Sequence, residues 1–103
     1  MKKDPEGQYA IEIEISKKTA TLTLAGIKQM QIENYVEAIQ RFDEAIAILP
    51  KSIHALQGRA LCKSILCINN PQLAPNEIRK YTQETILDLE SAIKELRRLL
   101  SHQ

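Results

Sequence analysis

The chain has 103 residues, 44% hydrophobic but only 4% aromatic, and its 14 Lys and Arg against 13 Asp and Glu leave a formal net charge of +1. No field of one sign is available to hold nucleic acid or an anionic membrane, and no Trp, three Tyr and one Phe leave few platforms for stacking bases. The length fits one domain that buries roughly two thirds of its unfolded surface, so one modest core of Ile, Leu and Ala is expected.

The opening MKKDPEGQYA is charged and is followed by alternating residues, which is not the build of a secretory signal. No stretch approaches the roughly eighteen apolar residues of a membrane span, and the expectation is a soluble, cytoplasmic chain. Residues 9–15, YAIEIEI, carry two conflicting signals. Strict alternation of Ile with Glu is the pattern of a half-buried strand, and β-branched residues suit it. Asp4-Pro5-Glu6 upstream is a helix start, with a capping acid, Pro at the first helical position and an acid in the first turn. Extended, Ile11, Ile13 and Ile15 make one apolar edge able to pair with TATLTL at 19–24 or with another chain; helical, Ile11 and Ile15 share a line with Leu22. The stretch 8–16 stays open between helix and short strand, within an N-terminal extension of residues 1–18.

From residue 19 the periodicity is helical. Leu22, Ala25, Gly26 and Gln29 share a face, with Gly26 removing the side chain where a neighbour comes closest. Glu33-Asn34 is a break, since Asn tolerates capping and left-handed conformations. Tyr35, Ala38, Phe42 and Ala45 then follow at helical gaps, alternating rings with alanines so that a second helix can pack closely. Pro50 ends that helix, because it lacks an amide hydrogen and biases Leu49 away from helical angles. Residues 19–50 thus read as one antiparallel helix pair.

A second pair is expected over 52–100. Leu56 stands thirty-four residues after Leu22, and Arg59-Ala60 takes the place of Ala25-Gly26. Ser52 to Ile68 is the first helix, with Ser52 as its cap. The partner is late, because NNPQLAPNE, with two prolines and an Asn pair, cannot be a helix interior. An inserted loop at about 69–75 is expected, then Asn76 capping a last helix to about Leu100. In that helix Tyr81, Thr85, Leu89, Ala92, Leu96 and Leu99 form a stripe expected to cover the second pair. Ile86, Ile93 and Leu100 recur every seven residues beside it.

These positions resemble the tetratricopeptide repeat family, whose pattern falls on Leu22, Ala25-Gly26, Gln29, Ala38, Phe42 and Pro50, with Tyr35 and Ala45 at further family positions. The departures are Leu22 where the family often has Trp, Ala25 for Leu and Gln29 for an aromatic. The resemblance covers about thirty residues specifically and implies an all-α fold of antiparallel helix pairs over residues 19–103. Such arrays generally need three or so repeats for stability, so either the two terminal segments or a second chain should close the core.

The resemblance also implies a binding module, in which the first helix of each pair lines a groove for a partner's peptide or helix. Carried over by position, that groove is Thr23, Ile27, Met30 and Gln31 from the first pair and His54, Gln57, Leu61, Ser64 and Ile65 from the second. Thr23, Ile27 and Gly58 stand where the family's carboxylate-gripping Lys and Asn would be, so no carboxylate clamp is expected. Apolar Ile27, Met30, Leu61 and Ile65 suit an apolar peptide or amphipathic helix instead, unless the chain's own termini cover them. A self-assembling module is the alternative, dimerising through the N-terminal segment or through Ile86, Ile93 and Leu100.

Catalysis is not expected. There is no Gly-rich phosphate loop, no His-Glu metal motif and no nucleophile elbow. Glu33, Glu37, Asp43 and Glu44 read as the solvated side of a helix, and His54 as an exposed helix residue. Cys62 and Cys67 are five apart and turned away from each other, and with His54 and His102 off ligand spacing no metal or other cofactor is implied.

Overall fold

The conflict at the N-terminus resolves as helix. In the computed structural model, which describes residues 5–101, the chain is helical without a break from Pro5 to Gln31, as α1. The capping reading of Asp4 and His102 lie outside the described residues. The strand reading of 8–16 is therefore set aside, and its signal has a physical explanation. Tyr9, Ile11 and Ile13 are each more than half exposed, so no packed face imposes a 3.6-residue pattern on them. Once the packed turns further along are formed, each added residue gains one backbone bond, and the helix propagates outward from them. The β-branched Thr19, Thr21 and Thr23 are accommodated by donating their hydroxyls to the carbonyls of Ile15, Lys17 and Thr19. Residues 5–18 of the expected extension form the outer half of α1, continuous with the part that packs.

The break that follows is a Schellman turn. Glu33, at φ 61°, takes the left-handed conformation, while its amide donates to Met30 O and that of Asn34 to Gln29 O. Of the two conformations open to Asn34, left-handed or capping, it takes the N-cap position of the next helix without a side-chain cap bond, and its side-chain amide donates to Gln29 Oε1 at 3.0 Å.

After it, α2 spans Tyr35–Ile48 and lies antiparallel on α1. Ala38, Phe42 and Ala45 are completely buried, and Leu22, Met30, Tyr35, Ile39 and Ile46 pack against them. Leu49 is extended at φ −135° and ψ 92°, as the following Pro50 requires.

Phe42 organises the molecule. A methyl group built on Gly26 would lie 2.6 Å from its ring, and one built on Gly58 would overlap the ring at Cζ. One ring therefore seats in two glycine notches on different helices, α1 and α3, the latter spanning Ile53–Asn69. Removing a ring from such a seat costs about 3–5 kcal/mol. Gly58, which the family pattern put on the groove side, belongs to this contact.

The second pair is α3 with α4, Pro75–Leu100. The connection is shorter than expected, since Ala74 takes the cap position and Pro75 opens α4 where Asn76 was expected to. Leu56, Ala60 and Cys62 of α3 are buried, as is Ala92 of α4. The expected stripe of α4 is corrected. Leu89, Leu96 and Leu99 are 40–45% exposed, whereas Asp88 and Glu95 are buried.

The polar face is turned inward because α3 meets it with cations. Arg59 Nε and Nη2 donate to both carboxylate oxygens of Asp88 at 2.8 and 2.6 Å, and Nη1 to Asp43 of α2 at 2.9 Å. One turn on, Lys63 reaches Glu84 at 2.6 Å. An ion pair of this kind is retained once buried, because removing either partner strands the other charge.

Candidate functional site

The residues assigned to a groove fall into three sets. Thr23, Ile27 and His54 come together, lining with Leu24, Leu49 and Ser52 a recess of about 440 Å³ between α1 and the α2–α3 connection. α1 positions Leu24 and Ile27 there because its opposite side carries Leu22 and Gly26 onto α2. Leu49 is held outward by the extended backbone ahead of Pro50. Leu24, Ile27 and Leu49 are all exposed, so this is open apolar surface and not interior. Thr23 is buried, and its hydroxyl is committed to Thr19 O at 2.8 Å.

The second set lies along α3. Gln57 and Leu61 are exposed, Leu61 by half, while Ser64 and Ile65 are partly buried. Ser64 donates to Ala60 O at 3.0 Å. None of the four borders the recess, so they extend the same side of the molecule without joining that hollow. The third set has left the surface or the face: Met30 packs on the core cluster, and Gln31 is exposed at the end of α1. Among the described residues the outer half of α1, residues 5–18, runs on past the recess and borders it only through Ser16.

A second hollow, of about 460 Å³, lies where the outer half of α1 passes the end of α2, between Ile11, Ile15 and Ile48. On α4, Ile86, Ile93 and Leu100 are all exposed, and Leu89 and Leu96 stand between them.

No family model, curated protein or solved structure matches this chain.

The charged groups are structural in their surroundings. Hydrogen bonding to Asp88 raises the pKa of Arg59 further above its ordinary value, against the opposing effect of burial, so Arg59 is a fixed cation between two acids. Burial pushes the Cys62 thiol up to about 11, which leaves it protonated and unreactive. Glu95 is held below its usual range, first by its hydrogen bond to Arg98. Among the described residues no group of three or more His, Cys, Asp or Glu side chains is placed to hold a metal ion, and no helix is long and apolar enough to cross a membrane.

The Arg59–Asp88 and Lys63–Glu84 pairs were missed at the level of sequence, though a signal exists. Two cations four apart on one helix face two acids four apart on the next in reversed order, which is the register of an antiparallel pair.

Proposed function

We propose that this chain is a two-hairpin unit of the tetratricopeptide kind and acts as a protein-interaction module, holding an apolar peptide or amphipathic helix of a partner against the α1–α3 side. The observation that carries this reading is the recess of about 440 Å³ edged by exposed Leu24, Ile27 and Leu49. A partner's apolar side chain entering it removes apolar surface from water on both molecules, at about 25 cal/mol per Å². Leu61 offers a second apolar contact further along α3. The wider surface supports the same reading. Among the described residues nineteen large hydrophobic side chains are exposed, while Phe42 and Leu56 are the ones of that size that are buried. A monomer with that balance leaves more apolar area in water than ordinary soluble domains do.

The role is binding, not catalysis, and no cofactor takes part in it. Free thiols at Cys62 and Cys67 fit a reducing compartment such as the cytoplasm.

Panning a random displayed-peptide library against the full chain, followed by titration calorimetry of the selected peptides, tests this. Apolar sequences should bind, and Ile27→Lys or Leu24→Lys should abolish binding while helicity and melting stay unchanged. Peptides that bind the variants as well as the parent would refute the assignment of the site.

A further inference from the structure

The face that α4 turns outward carries a second recognition pattern. Ile86, Ile93 and Leu100 recur at seven-residue spacing, and Leu89 and Leu96 fall between them, which is an a/d heptad seam with Ile at two a positions and Leu at both d positions. All five are 40–65% exposed. The seam lies about a quarter turn around the helix from Asp88 and Ala92, the stripe that faces α3. A partner on the seam would therefore leave the Arg59–Asp88 pair in place. From Ile86 to Leu100 it measures about 21 Å along the axis.

The charges beside the seam select its occupant. Glu90 and Arg97 take the two e positions and are exposed, bordering with Ile93 and Lys94 a depression of about 440 Å³. Set two copies of α4 antiparallel with Ile93 opposite Leu96, and Leu89 then falls opposite Leu100. Each Glu90 meets the other copy's Arg97, twice by symmetry. Shifting that alignment by one heptad would put Glu90 against Glu90. A parallel pair would set Glu90 beside Thr85 and Arg97 beside Ala92, pairing no charges. The pattern is thus complementary to itself in one orientation and one register, as an isologous two-fold contact requires.

We propose that α4 is a homodimerisation helix, which docks antiparallel on α4 of a second copy of this chain, with Ile93 against Leu96 and Glu90 against Arg97. In this register the paired span runs from Leu89 to Leu100, about 17 Å, and a contact that small belongs with the weak interfaces. This surface is separate from the α1–α3 recess, so the dimer leaves both recesses open and presents two of them per assembly.

Sedimentation equilibrium on the full chain through the micromolar range tests this. The parent should reach a dimer, and Ile93→Glu/Leu96→Glu, at exposed positions, should be monomeric with unchanged helicity. Glu90→Arg or Arg97→Glu alone should weaken the dimer about tenfold, and the two together should restore it to within about threefold of the parent. A parent that stays monomeric overturns the proposal, as does a dimer indifferent to Ile93→Glu/Leu96→Glu. A dimer in which the charge reversals do not compensate overturns the antiparallel register. Peptide binding at the recess should persist in the monomeric variant, so failure of either reading is distinguishable from failure of the other.

Discussion

Gly26→Ala probes the seat of Phe42 with a single added carbon. On the present backbone that carbon would stand 2.6, 2.8 and 2.9 Å from Cε1, Cδ1 and Cζ of the ring, where ordinary contact begins near 3.4 Å. The ring has nowhere open to retreat, being fully buried with its tip also against Gly58. Overpacking of this kind costs about 1–3 kcal/mol. Against it stands about 1 kcal/mol gained by Ala over Gly inside a helix. The net loss in the parent should therefore be about 0–2 kcal/mol. In a Phe42→Leu background the clash is relieved and only the helix gain remains, so the same substitution should stabilise by about 1 kcal/mol. The two backgrounds should differ by about 1–3 kcal/mol in urea unfolding, which is the coupling between Gly26 and the ring. An identical effect in both would show that the ring does not rest on Gly26.

Asp88→Ala should destabilise by about 3 kcal/mol, measured by urea unfolding, because Arg59 loses two of its three hydrogen bonds in a largely buried site, whereas replacing Arg59 and Asp88 together by Leu should fall within about 1 kcal/mol of the parent. Glu33→Gly should stabilise by about 0.5–1 kcal/mol, or raise the melting temperature by roughly 2–8 °C, since a left-handed residue without a Cβ relieves strain at φ 61°. A thiol reagent should modify partly buried Cys67 first. Cys62, raised to about 11 by burial, should react roughly a hundredfold more slowly than an ordinary thiol until the chain unfolds. A raised folded-state value also fixes the sign of the linkage: the Cys62 contribution is fully present below about 9 and is lost as pH rises towards 11, and Cys62→Ala should remove that loss.

The first hairpin was legible because its signals agree with one another. Gly26 against a ring at helical spacing, alanines at Ala38 and Ala45, and a closing Pro50 each limit how the two helices can meet, and the thirty-four-residue offset carried Leu56 and Ala60 into the core as well. The second hairpin was legible in its limits and not in its packing. Counting apolar residues on α4 assigned Leu89, Leu96 and Leu99 to the interior. The orientation is decided instead by Arg59 and Lys63, whose charges meet Asp88 and Glu84. Residues 8–16 misled for the opposite reason. A segment that packs on little is under no pressure to show the period of the helix it forms, and alternation of Ile with Glu says nothing of strand when, among the described residues, no strand lies beside it. Of the residues assigned to a groove, Thr23, Ile27 and His54 converge because helical spacing sets which side of α1 and α3 each of them takes. Met30 does not join them because α1 ends just beyond it, where its side chain turns to the core.

The proposed partner site is the apolar recess between α1 and the start of α3. Its most direct test is a nuclear magnetic resonance titration of the full chain with a library-selected apolar peptide, following every backbone amide. Saturable shifts should cluster at Thr23, Leu24, Ile27, Leu49 and His54, with Phe42 and the α4 seam little changed. Shifts confined to the α4 seam, or no peptide that saturates at all, would contradict it.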